Sequence, residues 1–259
     1  MKKGKYLILV VILAIYFLVF YFIYGRDSIA KSKKNGTLII DNNAIWQVEN
    51  GNWRNISYAS EIEGLSWQEY KVYLSNSYFG TYFLWNSENK WYLFDSEKNP
   101  INYDGNMIAS NLNYELNFKE FTTREIIYYN EINKVLTENG LASDQKEYTV
   151  KDLVSIDYDG DGIIENFYLL SNVFPLETNP NVIFTIVFME KNSVTYPMYS
   201  SVENNDGFNG CKPYISAIFD ADGDKEYEIL LSCGKYSENG TTETLYKFEK
   251  DSFKILINN

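Results

Sequence analysis

The 259-residue chain contains no histidine. That removes every His-based catalytic triad, a His general base, and His-ligated zinc or haem. Its two cysteines are too few for an all-cysteine zinc site or a disulfide-dense scaffold. Proline is scarce at 5 and glycine stands at 15, which excludes collagen-like and low-complexity disordered classes. Charged residues are 22% against 45% hydrophobic, enough apolar material for the core of one or two domains. What abounds is aromatic: 23 Tyr, 16 Phe and 5 Trp.

Positive charge is scarce beyond the N-terminus. Residues 1–35 hold seven Lys/Arg and one Asp, a net of +6. Residues 36–259 keep 16 of the 23 Lys/Arg and 34 of the 35 Asp/Glu, a net of −18. Such a body repels nucleic-acid phosphates and anionic lipid headgroups, so nucleic acid is excluded as a partner. Cations or basic partners suit it better.

The basic end flanks Tyr6–Tyr24, YLILVVILAIYFLVFYFIY, 19 residues without a charge. At about 1.5 Å per residue it spans roughly 28 Å, close to the bilayer hydrocarbon core. Residues 1–24 are therefore expected to be a signal anchor, a single transmembrane helix. Residues 25–36, GRDSIAKSKKNG, are a basic polar linker. Ser28-Ile29-Ala30 puts small residues at the −3 and −1 positions of a signal-peptidase site, so secretion after cleavage near Ala30 is the alternative. The length of the apolar run favours the uncleaved anchor. Lys2, Lys3 and Lys5 nearly balance Arg26, Lys31, Lys33 and Lys34, so flanking charge does not set the orientation.

Alternating apolar runs around turns rich in Asn, Gly, Lys or Glu mark four β-hairpins, at 44–57, 81–95, 186–199 and 245–257. The last two share a turn sequence, Glu190-Lys191-Asn192-Ser193 and Glu249-Lys250-Asp251-Ser252. A helix is expected over Thr122–Asn139, with a Thr cap and Gly140 ending it. It divides a Trp-rich hairpin region, 37–121, from 141–259. All five Trp lie between 46 and 91. Trp on alternating strands reads first as hairpin packing, and second as a stacking platform for sugar rings.

Asp157-Tyr158-Asp159-Gly160-Asp161-Gly162-Ile163-Ile164-Glu165 places acids at relative positions 1, 3, 5 and 9. Asp220-Ala221-Asp222-Gly223-Asp224-Lys225-Glu226-Tyr227-Glu228 repeats the frame 63 residues later. Three Asp within five residues repel one another unless a cation neutralises them. A hard divalent cation wants six or more oxygens, and Ca²⁺ tolerates irregular geometry. Strand-like flanks, and Tyr168 and Leu231 at position 12, exclude an EF-hand. A third frame, Asn102-Tyr103-Asp104-Gly105-Asn106, keeps one carboxylate and reads first as an Asp-Gly turn and second as a blade that lost its ion. Cys211 and Cys233 bracket the second loop, and a disulfide between them is expected in an exported body.

The motif D-x-D-G-D-x-x-x-E between two strands resembles the calcium loop of FG-GAP or VCBS-type repeats, as in integrin-like β-propellers. The resemblance covers about residues 150–257. It implies Ca²⁺ at Asp157, Asp159, Asp161, Glu165 and the Ile163 carbonyl, and at Asp220, Asp222, Asp224, Glu228 and the Glu226 carbonyl. The Phe-Gly pairs that name the repeat are absent, and Lys225 stands where the first loop has Gly162.

These readings converge on a mainly β protein of antiparallel, blade-like repeats, either an incomplete or small propeller or a two-lobed body split at the helix. Two structural Ca²⁺ ions are expected, with the N-terminus inside and the body outside the membrane, where calcium and disulfides prevail. The expected role is an interaction or adhesion module for a protein or glycan, rather than an enzyme. An extracytoplasmic enzyme acting on carbohydrate or peptide bonds is the alternative, as is an accessory or sensor subunit of a membrane complex. No acid pair separate from the loops is flagged by spacing.

Overall fold

Alternation of apolar and polar residues fills the chain with strands whose two faces belong to different cores. The computed structural model describes residues 35–259 apart from 42, 43, 50, 58, 88, 89, 104, 125–136, 138–148, 172–181, 205–210 and 236–240. Three antiparallel sheets result. The first has seven strands in the order β3-β2-β1-β7-β4-β5-β6. These are β1 (Gly36–Ile40), β2 (Ala44–Glu49), β3 (Asn52–Asn55), β4 (Glu69–Leu74), β5 (Ser77–Ser87), β6 (Lys90–Phe94) and β7 (Met107–Ser110). A six-residue helix α1 (Ala59–Gly64) precedes β4. The second sheet has the order β12-β11-β10-β9-β8, from β8 (Thr122–Arg124), β9 (Thr149–Ile156), β10 (Glu165–Ser171), β11 (Val182–Lys191) and β12 (Val194–Asn204). The third is the meander β13 (Cys211–Phe219), β14 (Glu228–Lys235), β15 (Thr241–Glu249) and β16 (Ser252–Asn258).

The third sheet is the middle layer. Ala217, Phe219, Leu230, Leu245 and Ile257 pack on Leu38, Ile40, Trp46 and Ile108 of the seven-stranded sheet. On its other face, Ile218, Ile229, Leu231 and Tyr246 meet Val154, Phe167, Leu169 and Val187 of the second sheet. Ile39, Val72, Leu84 and Leu93 form a third core on the far face of the seven-stranded sheet, with Leu65 beside α1. Neighbouring residues thus enter opposite cores, as a strand's period of two requires.

One segment straps two layers together. The amide of Lys119 donates to the Ile218 carbonyl (2.8 Å), and the amide of Asp220 to the Asn117 carbonyl (3.1 Å). Three residues on, β8 pairs with β9, Thr123 opposite Val154. The segment runs from the edge of β13 to the edge of β9 and covers both beside the acidic loops.

The four expected hairpins are β2–β3, β5–β6, β11–β12 and β15–β16. The shared turn sequence is offset by one residue. Asn192-Ser193 turn the first hairpin (φ 53° and 63°), whereas Lys250-Asp251 turn the second (φ 51° and 61°). Both pairs take the positive φ that a tight two-residue turn demands. The helix expected from Thr122 is corrected at its start: Thr122–Arg124 is strand, because β-branched residues there pair with the open edge of β9. The rest of that helix (125–136, 138–139), Asp104, the apolar segment 6–24 and Ala30 lie outside the described residues. Among the described residues no propeller ring is formed, and no helix is long and apolar enough to cross a membrane.

Candidate metal centres

Each acidic loop joins the first and second strands of a sheet meander: β9 to β10, and β13 to β14. The first Asp organises the turn with both oxygens. Gly160 N donates to Asp157 Oδ1 (2.7 Å) and Gly162 N to Asp157 Oδ2 (3.2 Å). In the second loop Gly223 N and Lys225 N donate to Asp220 at 2.6 and 3.0 Å. The next two acids each cap the amide two residues on: Asp159 takes Asp161 N and Asp161 takes Ile163 N, as Asp222 takes Asp224 N and Asp224 takes Glu226 N. The final Glu reaches back from the second strand. Glu165 Oε2 accepts Tyr158 N (2.6 Å), and Glu228 Oε2 accepts Ala221 N (2.7 Å). Bond for bond the loops are one structure.

The backbone at position 6 agrees as well. Gly162 has φ 86° and Lys225 has φ 75°. Lysine therefore adopts the left-handed conformation that glycine takes freely, and the second loop closes as tightly as the first.

Three carboxylates in each loop bring one oxygen each within 4.8 Å of the others: Asp157, Asp159 and Glu165, and Asp220, Asp222 and Glu228. The all-oxygen donor set suits a hard divalent ion. Glu165 Oε1 and Glu228 Oε1 are fully buried, and each lies beside a lysine ammonium, Lys191 Nζ at 3.0 Å and Lys247 Nζ at 3.1 Å. Of the two residues expected to give carbonyls, Ile163 and Glu226, the second turns its side chain toward a lysine.

That lysine was not legible as part of the site. Lys191 Nζ lies 2.5 Å from Asp159, 2.8 Å from Asp161 and 3.0 Å from Glu165. Lys247 Nζ lies 2.5 Å from Asp224 and 3.1 Å from both Glu226 and Glu228. Each comes from the third strand of its meander, and Lys247 sits directly across from Glu228 in the β14–β15 register. Knowing that register would have exposed it. The electrostatics follow. Hydrogen bonding to Lys191 holds the Asp161 carboxyl below the ordinary range. Burial would raise Asp224, but Lys247 and the Glu226 amide bring it down. Burial pushes Glu228 up to about 8 despite Lys247.

The loops also touch each other through the strap. Lys119 Nζ donates to the carbonyls of Asp157 and Tyr158 in the first loop and lies 4.7 Å from the Tyr227 ring centre in the second. Tyr158 OH donates to the Tyr227 carbonyl. Tyr114 OH donates to the Ala221 carbonyl (2.7 Å) and covers the second loop. Cys211 and Cys233 form a disulfide, Cα–Cα 5.3 Å, at the opposite end of the β13–β14 pair.

Compared with protein-family models, curated proteins and solved structures, the chain matches none.

Proposed function

We propose that residues 36–259 are the extracytoplasmic body of a membrane-anchored protein, stabilised by two Ca²⁺ ions, that serves as an interaction module for a protein or glycan. The observation that carries the calcium reading is that each loop brings one oxygen from each of three carboxylates within 4.8 Å of the others, with Glu165 and Glu228 fully buried. The charge balance supports it. Asp157, Asp159, Asp161 and Glu165 face one lysine, and Asp220, Asp222, Asp224, Glu226 and Glu228 face another. Either loop keeps a surplus of negative charge that a divalent ion neutralises. The motif's resemblance to FG-GAP and VCBS-type loops points the same way, as does its placement between two consecutive, paired antiparallel strands. The disulfide and the millimolar calcium of extracellular fluids support the outside location.

A binding module is favoured over an enzyme by an aromatic cleft beside β5 and β6, whose lining includes one carboxylate among the described residues, Asp95. Both its oxygens already accept hydrogen bonds from Glu97 and Asn99. Glycoside hydrolysis ordinarily uses a pair of carboxyl groups.

Thermal unfolding of the full chain tests the calcium reading. The melting temperature is expected to rise with millimolar Ca²⁺ and to drop with chelator, because the ion binds the native state alone. Asp159→Ala and Asp222→Ala should each remove part of that increment. A specific observation favours one rival: Lys191 and Lys247 could neutralise the loops without metal. In that case Ca²⁺ shifts nothing at any concentration up to several millimolar.

A further inference from the structure

The outer face of the β5–β6 hairpin carries rings where a solvated sheet face ordinarily carries polar groups. The register Phe83↔Phe94 and Trp85↔Tyr92 sets these four residues on one face, opposite the buried Leu84 and Leu93. Trp67 joins them from the turn after α1. It is 63% exposed, and its ring centre lies 6.4 Å from that of Trp85 with the planes 30° apart. Trp67, Phe83, Trp85 and Phe94, with Asp95, Ser96 and Lys98, line a cleft of about 520 Å³. That is within the range of small-molecule sites.

The backbone of Trp67 is unusual. Its φ of 65° is a region that bulky side chains avoid. Two hydrogen bonds impose it: Trp67 N to the Leu84 carbonyl (2.7 Å) and Leu84 N to the Gln68 carbonyl (3.3 Å). Glycine or asparagine would take this turn at lower cost, and a tryptophan serving the core would lie buried, as Trp46 does. Strain that carries an apolar ring out into water is retained where the ring is used.

We propose that this cleft binds the pyranose rings of a neutral glycan. The proposal rests on the reading of the body as an interaction module and supplies its ligand class. A pyranose has an apolar C–H face and an edge of hydroxyls. The cleft's lining is mixed in the same way, the apolar rings of Trp67, Phe83, Trp85 and Phe94 being joined by the polar residues Ser96 and Lys98. Charge selects further. Asp95 and Lys98 cancel within the lining, and the net of −18 on residues 36–259 repels sulfated or uronic chains. A quaternary ammonium ligand could draw on the same rings by cation–π attraction, so phosphocholine is the rival that the titration must include.

The test is a titration of the full chain, held in a non-glycosidic detergent, with gluco-, manno-, galacto- and N-acetylglucosamine oligosaccharides of two to six units. Tryptophan fluorescence and calorimetry report binding. Phosphocholine and a sulfated oligosaccharide run in parallel, each with calcium and, below the melting temperature, with chelator. At least one neutral series is expected to saturate. Trp85→Ala and Trp67→Gly should each weaken it at least tenfold, with Trp67→Gly melting no lower than the parent because the turn is relieved. The proposal is overturned if no neutral oligosaccharide binds, if phosphocholine or the sulfated chain binds in preference, or if Trp67→Gly binds like the parent. Oligosaccharide binding without any calcium-dependent melting shift leaves the cleft standing and removes the calcium reading; the reverse result does the opposite.

Discussion

Asp157–Glu165 and Asp220–Glu228 are one loop in two settings. Their hydrogen bonds correspond throughout, and each receives a lysine from the third strand of its meander. In the first, Lys191 is 15% exposed and its Asp159 and Asp161 partners are 43% and 40% exposed. In the second, Lys247 is 5% exposed, and Tyr114 and the strap close over the turn. Local sequence therefore determines the backbone of these loops, while the layer in which each sits determines what its charges are worth. A buried charge without a partner is far costlier than an exposed one.

The largest expected effect follows from that contrast. Lys247→Met leaves the fully buried Glu228 without its cation and should cost about 3 kcal/mol in chelated protein. That is about 6–12 °C in melting temperature for a domain of this size. Lys191→Met also strips the buried Glu165 of its cation, but water already reaches Asp159 and Asp161, so the cost should be smaller, about 2 kcal/mol. Added Ca²⁺ should recover part of both losses. Equal losses from the two substitutions would show that burial does not distinguish the loops.

Next in size is a pH effect that separates the second loop from another buried acid on the same sheet. Glu243 is fully buried on β15; its Oε2 accepts from Ser232, its Oε1 accepts nothing, and Asp41 adds repulsion. Burial pushes its carboxyl up to about 7. Below about pH 4.5 the folded and unfolded chains both hold this proton. Between about 4.5 and 7 only the folded chain does, so stability falls as pH rises through that window. The loss is of order 2–3 kcal/mol. Glu243→Gln should flatten melting temperature between pH 5 and 8. Any slope that survives this substitution and vanishes with Ca²⁺ belongs to Glu228, also pushed upward by burial.

The loops were legible because their information is local: acids at positions 1, 3, 5 and 9, with glycines at the bends. The hairpins were legible for the same reason. What escaped depends on pairing between distant residues. Lys247 enters the site only once Glu228 is placed opposite it, and Lys119 only once the strap lies beside β13. The Thr122 start of the expected helix failed because an open edge at β9 outweighed a local capping signal. The tryptophans divided in a way that their spacing could not announce. Trp46 is core, as hairpin packing would have it, whereas Trp67 and Trp85 stand in solvent.

The smallest effect concerns position 6, where Gly162 and Lys225 differ in sequence and agree in conformation. Lys225 suggests a looser second loop when read as sequence, yet its φ of 75° matches the 86° of Gly162, so the difference lies in strain rather than shape. A non-glycine residue held in the left-handed region costs about 1–2 kcal/mol, partly offset because glycine loses more freedom on folding. Lys225→Gly should therefore stabilise by about 0.5–1 kcal/mol, while Gly162→Lys destabilises by a similar amount. Lys225 N donates to Asp220 Oδ2 through the backbone, which glycine retains, so the loop geometry and its calcium response should be unchanged. Melting curves of the two reciprocal variants, in chelator and in calcium, decide it. If Lys225→Gly lowers the melting temperature, the exposed ammonium of Lys225 is offsetting the five surrounding acids, and charge rather than backbone strain governs that position.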